Sequence, residues 1–205
     1  MKIGILTYHR VINYGAFMQA YSLMKKIQQT YPNVEVEIID YNSSKHRKKY
    51  AKILKDAIVR ADVEKVKQFC LFYQVQKKFK LSKKIKGLST KEIEKKISNM
   101  QYDIIVVGSD EVWKGEDEVF WLKSIKTAKK VSYAASSRII FSEIPKAQRD
   151  YICSALEEFL YIGVRDAISK QELGKNLYKK INLNCDPAFL CDFKYDKEEF
   201  RKIVV

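Results

Sequence analysis

The chain has 205 residues, 46% of them apolar and 12% aromatic, with few glycines and prolines. That allows a domain with a sizeable core and excludes a disordered or fibrous chain, and no apolar run approaches the roughly 20 residues that span a bilayer. The net charge is +14, and residues 45–100 carry most of it, with 18 Lys and Arg against 5 Asp and Glu, so an anionic surface or ligand is expected near that segment. The four cysteines, Cys70, Cys153, Cys185 and Cys191, have no C-x-x-C spacing. This points to free thiols in a reducing compartment and away from metal binding.

In chain order, residues 2–8 read as a first strand rather than a leader. A loop over residues 9–15 follows. Residues 16–30 form an amphipathic helix with Phe17, Tyr21, Leu23, Met24 and Ile27 apolar, stopped by Tyr31-Pro32-Asn33. Residues 34–40 are the second strand. Residues 45–86 are basic and helical in pattern: Ile53, Leu54, Ala57, Ile58 and Ala61 mark one face, and Phe69, Phe72, Tyr73 and Gln76 continue it. Ser89-Thr90-Lys91-Glu92 has capping-box spacing and opens a helix to Met100. Strands over residues 104–107 and 130–134 come next, then a helix from Pro145 to about Phe159, with proline in a first-turn position that suits it. A strand over 161–164, a helix over 167–174 and a last strand over 181–184 follow. The alternation predicts an α/β fold with a mostly parallel, Rossmann-like sheet and helices on both faces. One domain is expected over 1–205, with 45–100 as a basic helical insertion.

Four loops follow predicted strands and converge on one edge of such a sheet, where open α/β sheets bind ligands. In the first, Asn13-Tyr14-Gly15 precedes a helix. Gly15 lets a ligand approach the backbone and the helix start favours an anion, or Asn13 simply caps the helix. The β-branched run Ile104 to Val107 reads as a strand buried on both faces and opens into Gly108-Ser109-Asp110-Glu111. Asp110 can act as a base or orient a sugar hydroxyl, or it is plain turn chemistry. Trp113 and Trp121 either stack on a sugar ring or belong to the core. Ser136-Ser137 either binds a phosphate or makes a turn. Arg165 ends its strand and suits bidentate binding of carboxylate or phosphate, with an ion pair to Asp166 or Asp186 as the alternative.

His9 and His46 are the only histidines, and neither has metal-ligand spacing. His9 reads as an exposed loop residue within reach of the site. Neither a dinucleotide fingerprint nor a P-loop is present. In the basic segment, Phe69, Phe72, Tyr73 and Phe79 interleave with Lys77, Lys78 and Lys80. That pattern fits nucleic acid, anionic lipid, or a helical excursion with solvated lysines. Lysine outweighs arginine, which favours the last and makes nucleic acid the weakest partner.

Five stretches carry a resemblance: Asn13-Tyr14-Gly15-Ala16 with Gln19-Ala20-Tyr21, Val107-Gly108-Ser109-Asp110-Glu111-Val112-Trp113, Tyr133-Ala134-Ala135-Ser136, Gly163-Val164-Arg165-Asp166, and Asp186-Pro187-Ala188-Phe189-Leu190. In that order they resemble the polysaccharide pyruvyl transferase family, over nearly the whole chain. The resemblance implies the N-terminal half of a GT-B-like two-domain enzyme. It implies transfer of a pyruvyl group from phosphoenolpyruvate to two sugar hydroxyls as a ketal, in surface-polysaccharide or capsule synthesis, with no cofactor besides that donor. Such chemistry needs a proton for the enol carbon, cations around carboxylate and phosphate, and a base for the hydroxyl.

The resemblance makes Asp110 and Arg165 the catalytic candidates, Arg165 matching a position expected to bind phosphoenolpyruvate. It makes Asn13, Tyr14, Gly15, Gly108, Ser109 and Ser136 substrate-binding candidates beside Arg165, and His9 joins them by its place in the first loop. It implies a cytoplasmic protein, a saccharide acceptor that is commonly lipid-linked, and a lysine-rich face resting on the anionic inner leaflet. Family members continue past the Asp-Pro segment into a second half that supplies a histidine and further basic residues. This chain stops at Val205, so a missing C-terminal half is the expected partner. A sugar-nucleotide glycosyltransferase and a noncatalytic module for membrane or nucleic acid are the rival readings.

Overall fold

A computed structural model of the chain describes residues 1–191 other than Glu116. Six strands form one sheet: β1 (Lys2–Leu6), β2 (Glu35–Ile38), β3 (Ile104–Val107), β4 (Lys129–Ala135), β5 (Tyr161–Val164) and β6 (Ile181–Leu183). Their order is β2-β1-β3-β4-β5-β6, and every pairing is parallel. The helices are α1 (Tyr14–Thr30), α2 (Ser44–Val59), α3 (Val63–Val75), α4 (Thr90–Ser98), α5 (Lys146–Leu156) and α6 (Ala167–Asn176).

Alternation within the strands puts apolar side chains on both faces of the sheet. Ile3 and Ile5 of β1 and Val106 of β3 pack with Phe17, Ala20, Leu23 and Met24 of α1. Leu6, Ile105 and Val107 point the other way, into a larger cluster with Ile93 and Ile97 of α4 and Ile152 and Leu156 of α5. Helices therefore cover both faces of a Rossmann-like sheet, as the alternation of elements predicts. The strand order reverses at β1, which has β2 on one side and β3 on the other. The carboxyl ends of β1 and β3 thus flank the topological switch point, the usual ligand position of open α/β sheets.

The basic segment differs from its sequence pattern. It is helical only to residue 78: α2, α3 and a short turn Gln76–Lys78. Beyond that the chain is extended and runs parallel along the free edge of β2. The Ile38 N–H donates to the Lys80 carbonyl at 2.8 Å, and the Ser82 and Ile85 N–H groups donate to the carbonyls of Ile38 and Asp40, each at 2.9 Å. Phe79 and Ile85 are buried there. The capping box of α4 also forms in modified shape. Ser89 Oγ accepts from the Glu92 N–H, while Glu92 Oε2 accepts from Leu88 rather than from Ser89. Pro145 stands at the N-cap of α5, one residue before the helix.

Trp113 and Trp121 are core residues. They stack on each other with ring centroids 5.6 Å apart and planes 12° apart, both almost fully buried. The Trp113 Nε1–H donates to the Phe120 carbonyl at 3.1 Å. No face is left for a sugar ring, which removes them as stacking candidates.

Candidate active site at the carboxyl edge of the sheet

The loops singled out from the sequence gather at the carboxyl edge of the sheet, and backbone bonds stitch several of them together. After β3, Gly108 adopts φ +116°, a region open to glycine. A Cβ there would overlap the Tyr133 carbonyl oxygen of β4, so the glycine also lets two strands approach. Ser109 is buried, and its Oγ has no hydrogen-bond partner among the described residues. Its carbonyl accepts from Thr7 Oγ1 at 3.1 Å, which ties the loop after β1 to the loop after β3 across the switch point.

Asp110 takes a left-handed conformation, φ +82°, which aspartate tolerates better than most residues. One carboxylate oxygen, Oδ1, accepts from the Glu111 N–H at 2.8 Å. Its carbonyl accepts from the Ser136 N–H at 2.9 Å, and the Ser136 carbonyl accepts from the Trp113 N–H at 3.1 Å. Glu111 in turn pairs with Arg138. The turn therefore has structural work, and the other Asp110 oxygen, Oδ2, accepts no hydrogen bond among the described residues.

Ser136 Oγ donates to Asp166 Oδ2 at 2.8 Å. Asp166 is the N-cap of α6, accepting from the Ser169 N–H at 2.7 Å and from Ser169 Oγ at 2.8 Å. Burial opposes its charge, but these donors and the Arg165 guanidinium outweigh it and hold the carboxyl below the usual range. Ser136 is thus engaged by the protein itself, as the turn alternative requires. The Ser137 backbone meets the same hydroxyl, its N–H donating to Ser169 Oγ at 2.8 Å and its carbonyl facing that oxygen at 3.0 Å.

Arg165 follows β5 and is about one quarter exposed, 27%. Its Nη1 donates to Asp186 Oδ2 at 3.1 Å. Of the two acids open to it from sequence, Asp186 is the ion-pair partner. Gln19 of α1 donates to the same oxygen, joining α1 to the segment after β6. Among the described residues that is one bond for five N–H donors, which leaves the guanidinium with capacity for an anion.

Asn13 caps α1, its Oδ1 accepting from the Ala16 N–H at 3.1 Å. Gly15 follows in the first turn, where backbone N–H groups and the helix dipole favour negative charge. Tyr14 is exposed on one side and packs on Phe72 of α3, with ring centroids 4.5 Å apart.

His9 corrects its sequence reading. It is buried, 2% exposed, instead of sitting in an open loop. Nδ1 faces the Thr7 carbonyl and Nε2 faces Asp40 Oδ1, both at 3.2 Å. Arg10 reaches the same carboxylate with Nε at 2.9 Å and Nη2 at 2.6 Å. Sequence reasoning passed over this cluster, although Asp40 offered a signal: an acid directly after the apolar run Ile38-Ile39 that ends β2. Gln19's part in the Gln19–Asp186–Arg165 junction was also unassigned, the Arg165–Asp186 pair alone having been open from sequence, though all three residues fall in the matching stretches.

No curated protein and no solved structure matches the chain. The family model for polysaccharide pyruvyl transferase does match, over residues 13–203. With the five stretches in order and their loops on one edge of a Rossmann-like sheet, the chain belongs to the polysaccharide pyruvyl transferase family.

Proposed function

We propose that the chain transfers a pyruvyl group from phosphoenolpyruvate to two hydroxyls of a saccharide, forming a ketal. Two acceptor oxygens bond to the enol carbon, and the bond from that carbon to the phosphate oxygen breaks. The methylene carbon takes a proton to become a methyl group, and phosphate leaves with the other. The two hydroxyls supply both protons, so no redox cofactor is required.

Arg165 carries this reading. It has donors to spare and stands at the carboxyl edge with the first turn of α1, a second group suited to anions. In the proposal Arg165 holds the carboxylate or phosphate of the donor, and Asp110 takes a hydroxyl proton through Oδ2. Asn13, Tyr14, Gly15 and Gly108 line the substrates, the buried Ser109 and Ser136 hold the loops behind them, and His9 steadies the loop beneath. Capsule synthesis, a lipid-linked acceptor, a cytoplasmic location and peripheral contact with the inner leaflet complete the proposal.

Titration calorimetry with phosphoenolpyruvate tests it, with nucleotide sugars as controls. Phosphoenolpyruvate should bind and nucleotide sugars should not. Arg165→Lys keeps the charge but loses the fork geometry, and should weaken binding roughly tenfold to a hundredfold. Unchanged affinity in that variant, or preferential binding of a nucleotide sugar, overturns the proposal.

A further inference from the structure

The hairpin of α2 and α3 exposes an unusual surface. Of the sixteen residues in α2, only Ala57 is buried. Tyr50 and Leu54 turn toward α3, where Tyr50 meets Phe69 and Leu54 lines a cavity of about 300 Å³ with Phe69 and Phe72. On the other side lie Lys45, Lys48, Lys49, Lys52 and Lys55, all exposed. At helical spacing they occupy one stripe about 120° wide. Asp56 is the only acid of α2. Among the described residues no ion pair involves Lys48, Lys52 or Lys55.

The lysine row leads to an apolar tip. Ile58, Val59 and Val63 are 61%, 76% and 75% exposed around the turn between the helices. Ile58 lies near the inward angle of α2, where the sequence pattern puts it, but α3 begins too late to cover it. Ala61 closes the turn at φ +53°, and Asp62 caps α3. The lysines at 77–84 offer no such surface. Lys77 and Lys78 stand in the short turn Gln76–Lys78, the backbone from Lys80 to Lys84 runs along β2, and Lys80 pairs with Glu35 at 3.1 Å.

We propose that this hairpin docks the protein on an anionic lipid surface. Ile58, Val59 and Val63 enter the boundary between headgroups and acyl chains, and the α2 lysines lie over the headgroup phosphates. Nucleic acid accounts for the lysines but not for three bare aliphatic side chains. Three such residues are also far short of the roughly 800 Å² per partner of a stable protein interface. The surface gives the peripheral contact of the proposed function a location, and it does not depend on pyruvyl transfer. Its root borders the candidate site: Tyr14 packs on Phe72, and Arg10 Nη1 donates to Gln76 Oε1 at 3.2 Å. Docking would therefore hold the carboxyl edge of the sheet near the leaflet.

Co-sedimentation with phosphatidylglycerol-containing vesicles, against phosphatidylcholine alone, tests the idea with two variants built only from non-buried residues. Lys48, Lys49, Lys52 and Lys55 changed together to Glu should lower partition at low salt by about a hundredfold or more. Ile58, Val59 and Val63 changed together to Ser should lower it by about tenfold, a loss that persists at high salt. Wild type that ignores anionic vesicles, or variants that bind as wild type does, overturn the proposal. So does nucleic-acid binding that needs the lysines and not the tip. Phosphoenolpyruvate titration of the same variants separates the two proposals. A Lys→Glu variant that loses vesicles and keeps the donor shows that they fail or stand independently.

Discussion

At the scale of single residues, Gly108 and Asp40 bear most directly on the candidate site. Gly108→Ala places a side chain at φ +116° against the Tyr133 carbonyl. It should cost at least about 2 kcal/mol, read as a lower urea midpoint with unchanged slope. Asp40 is buried between His9 and Arg10. Burial opposes its charge, yet the hydrogen bonds from His9 and Arg10 outweigh that and hold its carboxyl well below the usual range. A carboxyl lowered on folding stabilises the protein above its unfolded pKa, about 3.9, and the gain is lost as pH falls through the lower folded value. Asp40→Asn should therefore destabilise by up to about 3 kcal/mol at neutral pH. The gap to wild type should stay level down to about pH 4 and narrow below it; a gap that widens on acidification contradicts this account. Arg165 and Ser136 were legible as edge residues because each directly follows a strand run. The burial of His9 was not, because it depends on Asp40, 31 positions away. Trp113 and Trp121 stayed ambiguous because an aromatic side chain suits a core and a sugar equally well.

At the scale of elements, local periodicity located nearly every strand and helix, and long-range pairing decided the exception. Phe79-Lys80-Leu81-Ser82 alternates apolar and polar for only four residues before a lysine pair interrupts it. Such a run takes its extended form from docking on β2, a contact invisible to local pattern. The cap of α1 allows structural and ligand roles to be separated. Asn13→Ala removes the bond to Ala16 and should cost about 1 kcal/mol of stability, whereas Asn13→Asp keeps the cap. If Asn13 also meets the donor, as proposed, Asn13→Asp should weaken phosphoenolpyruvate binding at unchanged stability, because it adds like charge. Equal affinity for the donor leaves Asn13 with capping only.

At the scale of the whole molecule, the sequence could announce a parallel sheet but not the order of its strands. Order depends on which apolar faces meet, and the central strands β1 and β3 are apolar on both. The loops were nonetheless assigned to one edge correctly, because in a parallel sheet all strand ends with the same polarity lie together. Stability should be distributed unevenly over this frame. β1 and β3 are buried between two apolar clusters, while α2 contributes one buried residue. Native-state hydrogen exchange should find the amides of β1 and β3 slowest, and those of α2 among the fastest. Comparable protection in α2 would mean that the hairpin is held by more than its own thin contact with α3. The extended run beside β2 has a further consequence, for how copies of the chain meet. A parallel sheet leaves two open margins, each a row of unpaired N–H and C=O groups on which a foreign strand can grow. One margin is occupied by a stretch carrying Lys80, Lys83, Lys84 and Lys86, whose like charges repel a second copy. Among the described residues the other ends in β6, only three residues long and a poor template. The same lysines that give the chain its basic character thus also guard it against joining edge to edge into aggregates.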